Sequence, residues 1–507
     1  MKKVIILFIT VFSLFSLNGQ DFTDALRFAQ DEISGTARFR AMGGAFGALG
    51  GDISAINVNP ASSTIFNRSK ASFTFGFSSR NNTVNYFNRS SNSKDDNFNL
   101  AQGGGVFVYE NSNPNSKWTK FSMGVAYDQT NDFNDNWLAN GVNPNTSIGD
   151  YFSGFANGLP LGDISTLPGE TINEAYRDIG EVFGFDYQQA FLGFESFILE
   201  PESDTDDNTV YNSNITGGNY NQRYALNSTG YNGKMAFNFA AQYDNKINLG
   251  LNVNAHFLNY ERVTVFDETN SNNTSIVSAV GFDNTLSTTG AGISFQLGSI
   301  VKVTEEFRVG LTYDSPTWFR VNEETSQFLQ TTVDGFDNPI ILSPNIINIY
   351  PEYRLRTPGK ITGSFAYVFG EKGLLSFDYS RKDFSQTIFR PTNDPFFAFQ
   401  NDQISNLLGV SNTYRLGGEL RHKQFSFRGG YKVEGSPYED DSFVGDLTAY
   451  SLGLGYNLGN LTIDLAFTQA EREENNTFLY SSAPTFNETA NVDTRFTDVV
   501  LTLTFGI

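Results

Sequence analysis

The sequence predicts an all-β protein: a 14-stranded antiparallel transmembrane β-barrel with an N-terminal hatch in its lumen and a partly helical long extracellular loop. Three observations carry this expectation. Side chains alternate with period 2 along the whole chain, with Phe, Tyr and Leu on the face that looks exposed. Short connections alternate with long ones. A Lys-led apolar leader opens the chain, and no later run reaches the ~20 apolar residues of a membrane-spanning helix. The last nine residues show the alternation most clearly. Val499, Leu501, Leu503, Phe505 and Ile507 point one way, and Val500, Thr502, Thr504 and Gly506 the other. Lipid rewards an apolar outer face on strand after strand, because each strand must be apolar outside and polar within.

Residues 1–20 read as a secretory signal peptide: Lys2 and Lys3, an apolar run, then small or polar residues with cleavage near Gly19 or Gln20. Fifteen per cent aromatic residues beside a mean hydropathy of −0.30 fit a barrel, whose apolar content is diluted by alternation. A net charge of −21 argues against nucleic acid as a partner. The chain has no cysteine, which excludes disulfides and thiolate chemistry.

Fourteen segments carry the pattern: 71–79, 102–110, 118–128, 231–243, 246–266, 286–298, 303–314, 354–369, 374–383, 413–422, 424–433, 447–458, 461–470 and 494–507. Strands of roughly 9–11 residues suit a tilted crossing of the bilayer, and longer ones would protrude beyond it. Even-numbered strands end in tight turns such as Asp244-Asn245 and Gly459-Asn460. Odd-numbered strands are followed by longer loops, 129–230 being the longest. That asymmetry puts both chain ends on the periplasmic side of an outer-membrane barrel, 71–507, that a single chain can close as a monomer.

Residues 21–70 do not alternate. They hold Gly43, Gly44 and further glycines, the element Asn59-Pro60-Ala61, and apolar Phe39, Met42, Phe46, Leu49, Ile53 and Ile56. A barrel wider than eight strands needs something in its lumen, and this compact segment is the natural plug. Its glycine run is not G-x-G-x-x-G and follows no strand, so it is not a dinucleotide loop.

Stretch 34–61, reading SGTARFRAMGGAFGALGGDISAINVNPA, resembles the N-terminal hatch of the outer-membrane long-chain fatty-acid transporter family (FadL-like, including aromatic-hydrocarbon porins). Ser62 stands where that family commonly has glycine. The resemblance implies passive uptake of a hydrophobic small molecule, a fatty acid or an aromatic hydrocarbon. Capture by outer loops would be followed by a hatch shift and lateral or periplasmic release. It also implies that Phe22, near the mature N-terminus, tucks into the ligand pocket, and that a wall kink lies on the third strand, where Gly124 would relax the ladder. The alternative within the same family is a non-transporting barrel that docks a protein-secretion system, with the enlarged loop as its surface.

Within the long loop, Ile172, Ala175, Tyr176, Ile179, Val182 and Phe183 recur at helical spacing, as do Ala190, Phe191, Phe194, Phe197 and Ile198. Two such helices either pack on each other as a lid or leave a groove, with Phe183, Phe191, Phe194 and Phe197 as ligand contacts. The polar strand face carries Lys234, Arg308, Asp314, Asp378, Arg415, Glu419, Arg421, Arg428 and Asp464, expected as a salt-bridged lumen wall. Only His256 and His422 exist, with no nucleophile elbow and no metal-binding histidine pair. The expectation is therefore no enzyme, no metal and no cofactor. Outer-membrane lipid and lipopolysaccharide are the expected surroundings.

Overall fold

The computed structural model describes residues 22–480 and 484–507; the leader expected over 1–20 lies outside them. Fourteen antiparallel strands close into a barrel. The first six are β1 (Lys70–Tyr86), β2 (Arg89–Glu110), β3 (Trp118–Asp132), β4 (Tyr220–Tyr243), β5 (Ile247–Thr269) and β6 (Val277–Lys302). Three interrupted strands follow: β7 (Phe307–Asp314, resuming as Trp318–Val333), β8 (Tyr353–Arg356, resuming as Lys360–Val368) and β9 (Gly373–Asp383, resuming as Ile388–Arg390). The last five are β10 (Val410–His422), β11 (Phe425–Glu434), β12 (Leu447–Asn457), β13 (Leu461–Phe478) and β14 (Thr489–Gly506). Each strand pairs with its sequence neighbours, and β1 closes on β14 from Lys70↔Gly506 to Asn85↔Asn491.

The alternation maps onto the wall as the sequence requires. Phe73, Phe75, Phe77, Val499, Leu501 and Phe505 face outward and are exposed, while Ser72, Thr74 and Thr502 are buried inside. Thr74 Oγ1 and Thr502 Oγ1 meet across the closing seam at 2.8 Å. Leu501→Arg, near the middle of the apolar band, is expected to cost about 2–4 kcal/mol of folding stability, read by urea titration in lipid vesicles.

Several strands outrun the sequence expectation. β1 and β2 continue to a turn at Phe87 and Asn88, so the first connection at the long-loop end is short, not the loop expected over 80–101. β4 starts eleven residues early, at Tyr220, and β6 starts at Val277. These extensions carry polar outward residues such as Thr83, Asn85, Ser90 and Asn92, because the apolar face stops where lipid stops while the backbone ladder goes on. Strand 354–369 is two pieces, split at Thr357-Pro358-Gly359.

Ahead of β1, helix α1 (Phe22–Ala29), short helix α2 (Ala37–Ala41) and 3-10 turns at Ser54–Asn57 and Pro60–Ile65 lie inside the barrel. The long loop forms α3 (Ile148–Ala156), α4 (Ile172–Phe183) and α5 (Phe185–Glu195), of which α3 was not expected. Helix α4 starts where Thr171 and Glu174 cap each other reciprocally, the Glu174 carboxylate accepting the Thr171 N–H at 3.0 Å. The three helices share one core with the extended ends of β1, β5, β6 and β7, through Tyr86, Phe266, Phe282 and Leu329. They form a lid over the long-loop end. A last helix, α6 (Pro395–Leu407), sits between β9 and β10 with Asp394 as its N-cap.

Candidate functional site

The lumen is built in three layers. At the short-turn end the hatch is tied to the wall on nearly every side. The Ala37 N–H donates to Thr502 Oγ1 at 2.7 Å, and the Asp378 carboxylate accepts from the N–H groups of Phe46 and Gly47 at 2.9 and 3.0 Å. Arg308 donates to Leu49 O at 3.0 Å, and Asn252 to Ile56 O at 2.9 Å. Ser63 and Ser122 hydroxyls meet at 2.8 Å. These bonds satisfy backbone groups of an irregular segment that lies at membrane depth.

The element Asn59-Pro60-Ala61 works as a clip. Asn59 Nδ2 donates to Gly47 O at 2.7 Å and to Ser299 O of β6 at 3.0 Å, while Pro60 O accepts from Asn238 of β4 at 2.9 Å. Where the wall comes closest to the clip it carries glycine, Gly250 and Gly298, for a steric reason. A Cβ on Gly250 would stand 2.3 Å from the Ala61 nitrogen and the Pro60 carbonyl carbon. Gly43 and Gly44 both hold left-handed backbone, φ 61° and 76°, where the chain doubles back against β11.

Arg38 of α2 joins the wall charges. Glu419 accepts from Arg38 at 2.8 Å and from Arg428 at 2.6 Å, and Arg428 reaches Asp464 at 2.6 Å. The expected salt-bridged lumen wall is thus partly a hatch anchor. Removing one member of such a buried network strands a charge.

Above the hatch lies a polar cavity of about 70 Å3, lined among others by Asp31, Lys234, His256, Asp314, Lys360 and Lys382. Lys360 bridges to Asp314 at 3.2 Å, and Lys382 to Asp31 at 3.3 Å. Burial works to raise the Asp31 carboxyl, but Lys382 and then Lys360 outweigh it and hold it well below the usual carboxylate range. His256 Nε2 meets Ser294 Oγ at 2.8 Å.

The third layer is apolar. Ala25, Leu26, Phe28 and Ala29 of α1 fill a pocket made by Phe133, Tyr260, Phe319, Tyr353, Phe389 and Phe397. Phe28 sits 6.1 Å from both Phe133 and Tyr260, edge to face. Phe22 is partly buried against the same cluster, and its N–H donates to Gln400 Oε1 of α6 at 2.9 Å. Helix α1 therefore occupies the kind of aromatic receptacle that would suit a hydrophobic solute.

The wall is not a continuous ladder at this level. β7 breaks at Ser315-Pro316-Thr317, β8 at Thr357-Pro358-Gly359, and β9 at a one-turn helix, Phe384–Gln386. The two prolines offer no N–H, so the ladder cannot be restored there. Only Thr357 N–H to Thr317 O, at 3.0 Å, spans β7 and β8 within the break. Ser315, Thr317, Thr357 and Pro358 also line the cavity, so the weak wall and the hollow touch. On the third strand Gly124 is paired on both sides, with Val106 and Asn238. The β2–β3 ladder ends further on, at Gln102↔Asp128, and the chain bends at Phe133 and Asn134 before resuming as Asp135–Asn143.

The loop phenylalanines separate. Phe191 is fully buried in the lid core; Phe194 and Phe183 are partly buried, Phe183 stacked on Tyr187 at 4.8 Å. Phe197 is 45% exposed and lies 5.3 Å from exposed Phe336. Sequence reasoning missed α6, although Asp394-Pro395 is a helix-start signal, and missed Phe133, Tyr260 and Phe319 as pocket walls. Among the described residues no group of His, Asp and Glu is arranged to hold a metal ion.

With this geometry in hand, the model of one protein family matches residues 203–505, more than half of the chain; it describes the outer membrane protein transport protein (OMPP1/FadL/TodX). The chain belongs to this family. The hatch motif lies outside the matched residues, so the match and the hatch resemblance are separate observations. Among solved structures, a FadL homologue of Pseudomonas aeruginosa superposes with a TM-score of 0.53 at 12% identity, over 94% of this chain and 99% of that one. The toluene transporter TodX of Pseudomonas putida gives 0.51 at 12%, over 94% and 100%. At such identity the likeness is one of fold. No curated protein matches the chain. Members of the OMPP1/FadL/TodX family are outer-membrane transport barrels, and this chain is one of them.

Proposed function

We propose that this barrel is a passive channel for small hydrophobic molecules, long-chain fatty acids or aromatic hydrocarbons, with the long loops outside and both termini periplasmic. One observation supports it above the rest: the apolar face of α1 fills an aromatic pocket between the hatch and the lid. A solute that displaces Leu26 and Phe28 takes over burial the helix already provides. The edge pair Phe197 and Phe336 offers the first apolar contact outside. Beyond the pocket, the hatch bars the periplasmic side, so the route proposed is lateral, through the break in β7, β8 and β9. The rival reading, a barrel that docks a secretion system, has the many hatch–wall hydrogen bonds in its favour and the break beside the cavity against it.

Uptake of labelled oleate and toluene by proteoliposomes tests the reading, and rates equal to those of protein-free vesicles would refute it. Two loop variants refine it. Phe191→Ser empties a buried site and is expected to cost the lid about 3–5 kcal/mol, seen as faster protease cleavage within 129–230. Phe197→Ser should leave the lid resistant and weaken oleate binding several-fold. Cleavage of the loosened Phe191→Ser loop by protease added to intact cells checks the orientation.

A further inference from the structure

Just beyond the apolar band, on the outside of the wall, five arginines crowd onto three adjacent strands. Arg320 of β7 stands directly opposite Arg354 of β8, and Arg354 directly opposite Arg390 of β9. All three are exposed, and so is Arg381, two residues past outward-facing Tyr379 on β9. Arg356 lies one outward step below Arg354, opposite Trp318. Cross-strand partners sit ~4.5–5.5 Å apart at Cβ, and like charges so placed repel. A chain of net charge −21 has acidic residues to spare, yet gives this row little relief. Arg320 has one carboxylate nearby, Glu352 at 4.0 Å, and its own side chain is 69% exposed. The Arg356 Nε is buried without a hydrogen-bond partner. Among the described residues Arg354, Arg381 and Arg390 make no ion pair.

The level of the row says what would neutralise it. Trp318, Ile361, Tyr379 and Tyr414 are exposed immediately toward the membrane, and Tyr379 and Tyr414 pair at 5.3 Å as part of an aromatic girdle. The row therefore stands at headgroup height, where lipid phosphates lie. Guanidinium is the side chain best suited to a phosphate, by paired parallel hydrogen bonds and weak hydration.

We propose that Arg320, Arg354 and Arg390, with Arg356 and Arg381 beside them, dock the phosphates of an outer-leaflet glycolipid of the lipid A type. Its acyl chains run down over Trp318 and Tyr379, outside the broken part of the wall. The proposal rests on the orientation with the long loops outside, which protease cleavage on intact cells tests by itself. A wrong orientation and a wrong docking surface therefore give different results.

The test is binding of fluorescent lipid A to the full-length mature barrel in detergent. The triple variant Arg320→Gln, Arg354→Gln, Arg390→Gln is expected to bind at least ten-fold more weakly, and lipid A stripped of phosphate should lose a similar factor on the wild type. Arg223→Gln, on the distant β4, should bind as the wild type does. Heat-modifiable gel mobility verifies that each barrel is folded; should the triple variant fail there, the central Arg354→Gln alone is read, with a several-fold loss expected. Equal binding by the variant, equal binding of dephosphorylated lipid A, or equal capture of phosphatidylglycerol would overturn the proposal.

Discussion

Removing residues 22–65 while keeping β1 intact should turn a closed barrel into an open pore. In planar bilayers the conductance is expected to rise about ten-fold or more, since fourteen strands enclose more space than their own side chains fill. The reason lies in the spread of the hatch contacts. Wall groups from Ser122 on β3 to Thr502 on β14 bond the segment, and at its centre Asp378 takes two backbone N–H groups at once. Nothing else in the described lumen covers the short-turn end. A deletion variant that inserts correctly and keeps the wild-type conductance would show that the hatch is not the seal.

The second large effect comes from one atom. Gly250→Leu puts a Cβ against the Pro60 carbonyl carbon and the Ala61 nitrogen, at 2.3 Å from each. Both neighbours are backbone, one side a ladder strand and the other a 3-10 turn pinned by Asn59, so neither can rotate away. Overpacking of this kind costs about 1–3 kcal/mol or more, and the cheapest relief is for the Asn59-Pro60-Ala61 clip to leave the wall. Flickering conductance and new protease cleavage between residues 47 and 65 are expected, with barrel mobility on gels unchanged. Gly429→Ala, where a Cβ meets nothing within 4 Å, is the matched control.

What sequence made legible follows the physics of the surrounding solvent. Lipid imposes apolar outward residues, so every wall strand was visible where it crosses the bilayer. Beyond the bilayer the outward face of β1 and β2 is polar, so the strands reaching Tyr86 and Arg89 carry no lipid-facing alternation to mark them. Pro358 did carry a warning, because a proline cannot sit inside a central strand, and the split of β8 falls there. The site is another matter. Nothing local to Asp378 tells that its partners are N–H groups 332 residues earlier, nor that α1 would lie against Tyr260 and Phe319. Such contacts are set by three-dimensional closure, not by periodicity.

The seam between β1 and β14 also dictates an order of assembly. It joins Lys70 to Gly506, so it can zip only after every other strand has been made. Pairings so distant along the chain are the slow ones in folding. The hatch hangs from Lys70 on the inner side of that seam, and its partners on the far wall are already in place when the seam meets. A sheet still open along one edge is a trough into which the segment can be laid against both of its walls at once. Laid into that trough, the hatch is seated before the last seam zips, and the barrel closes already stoppered.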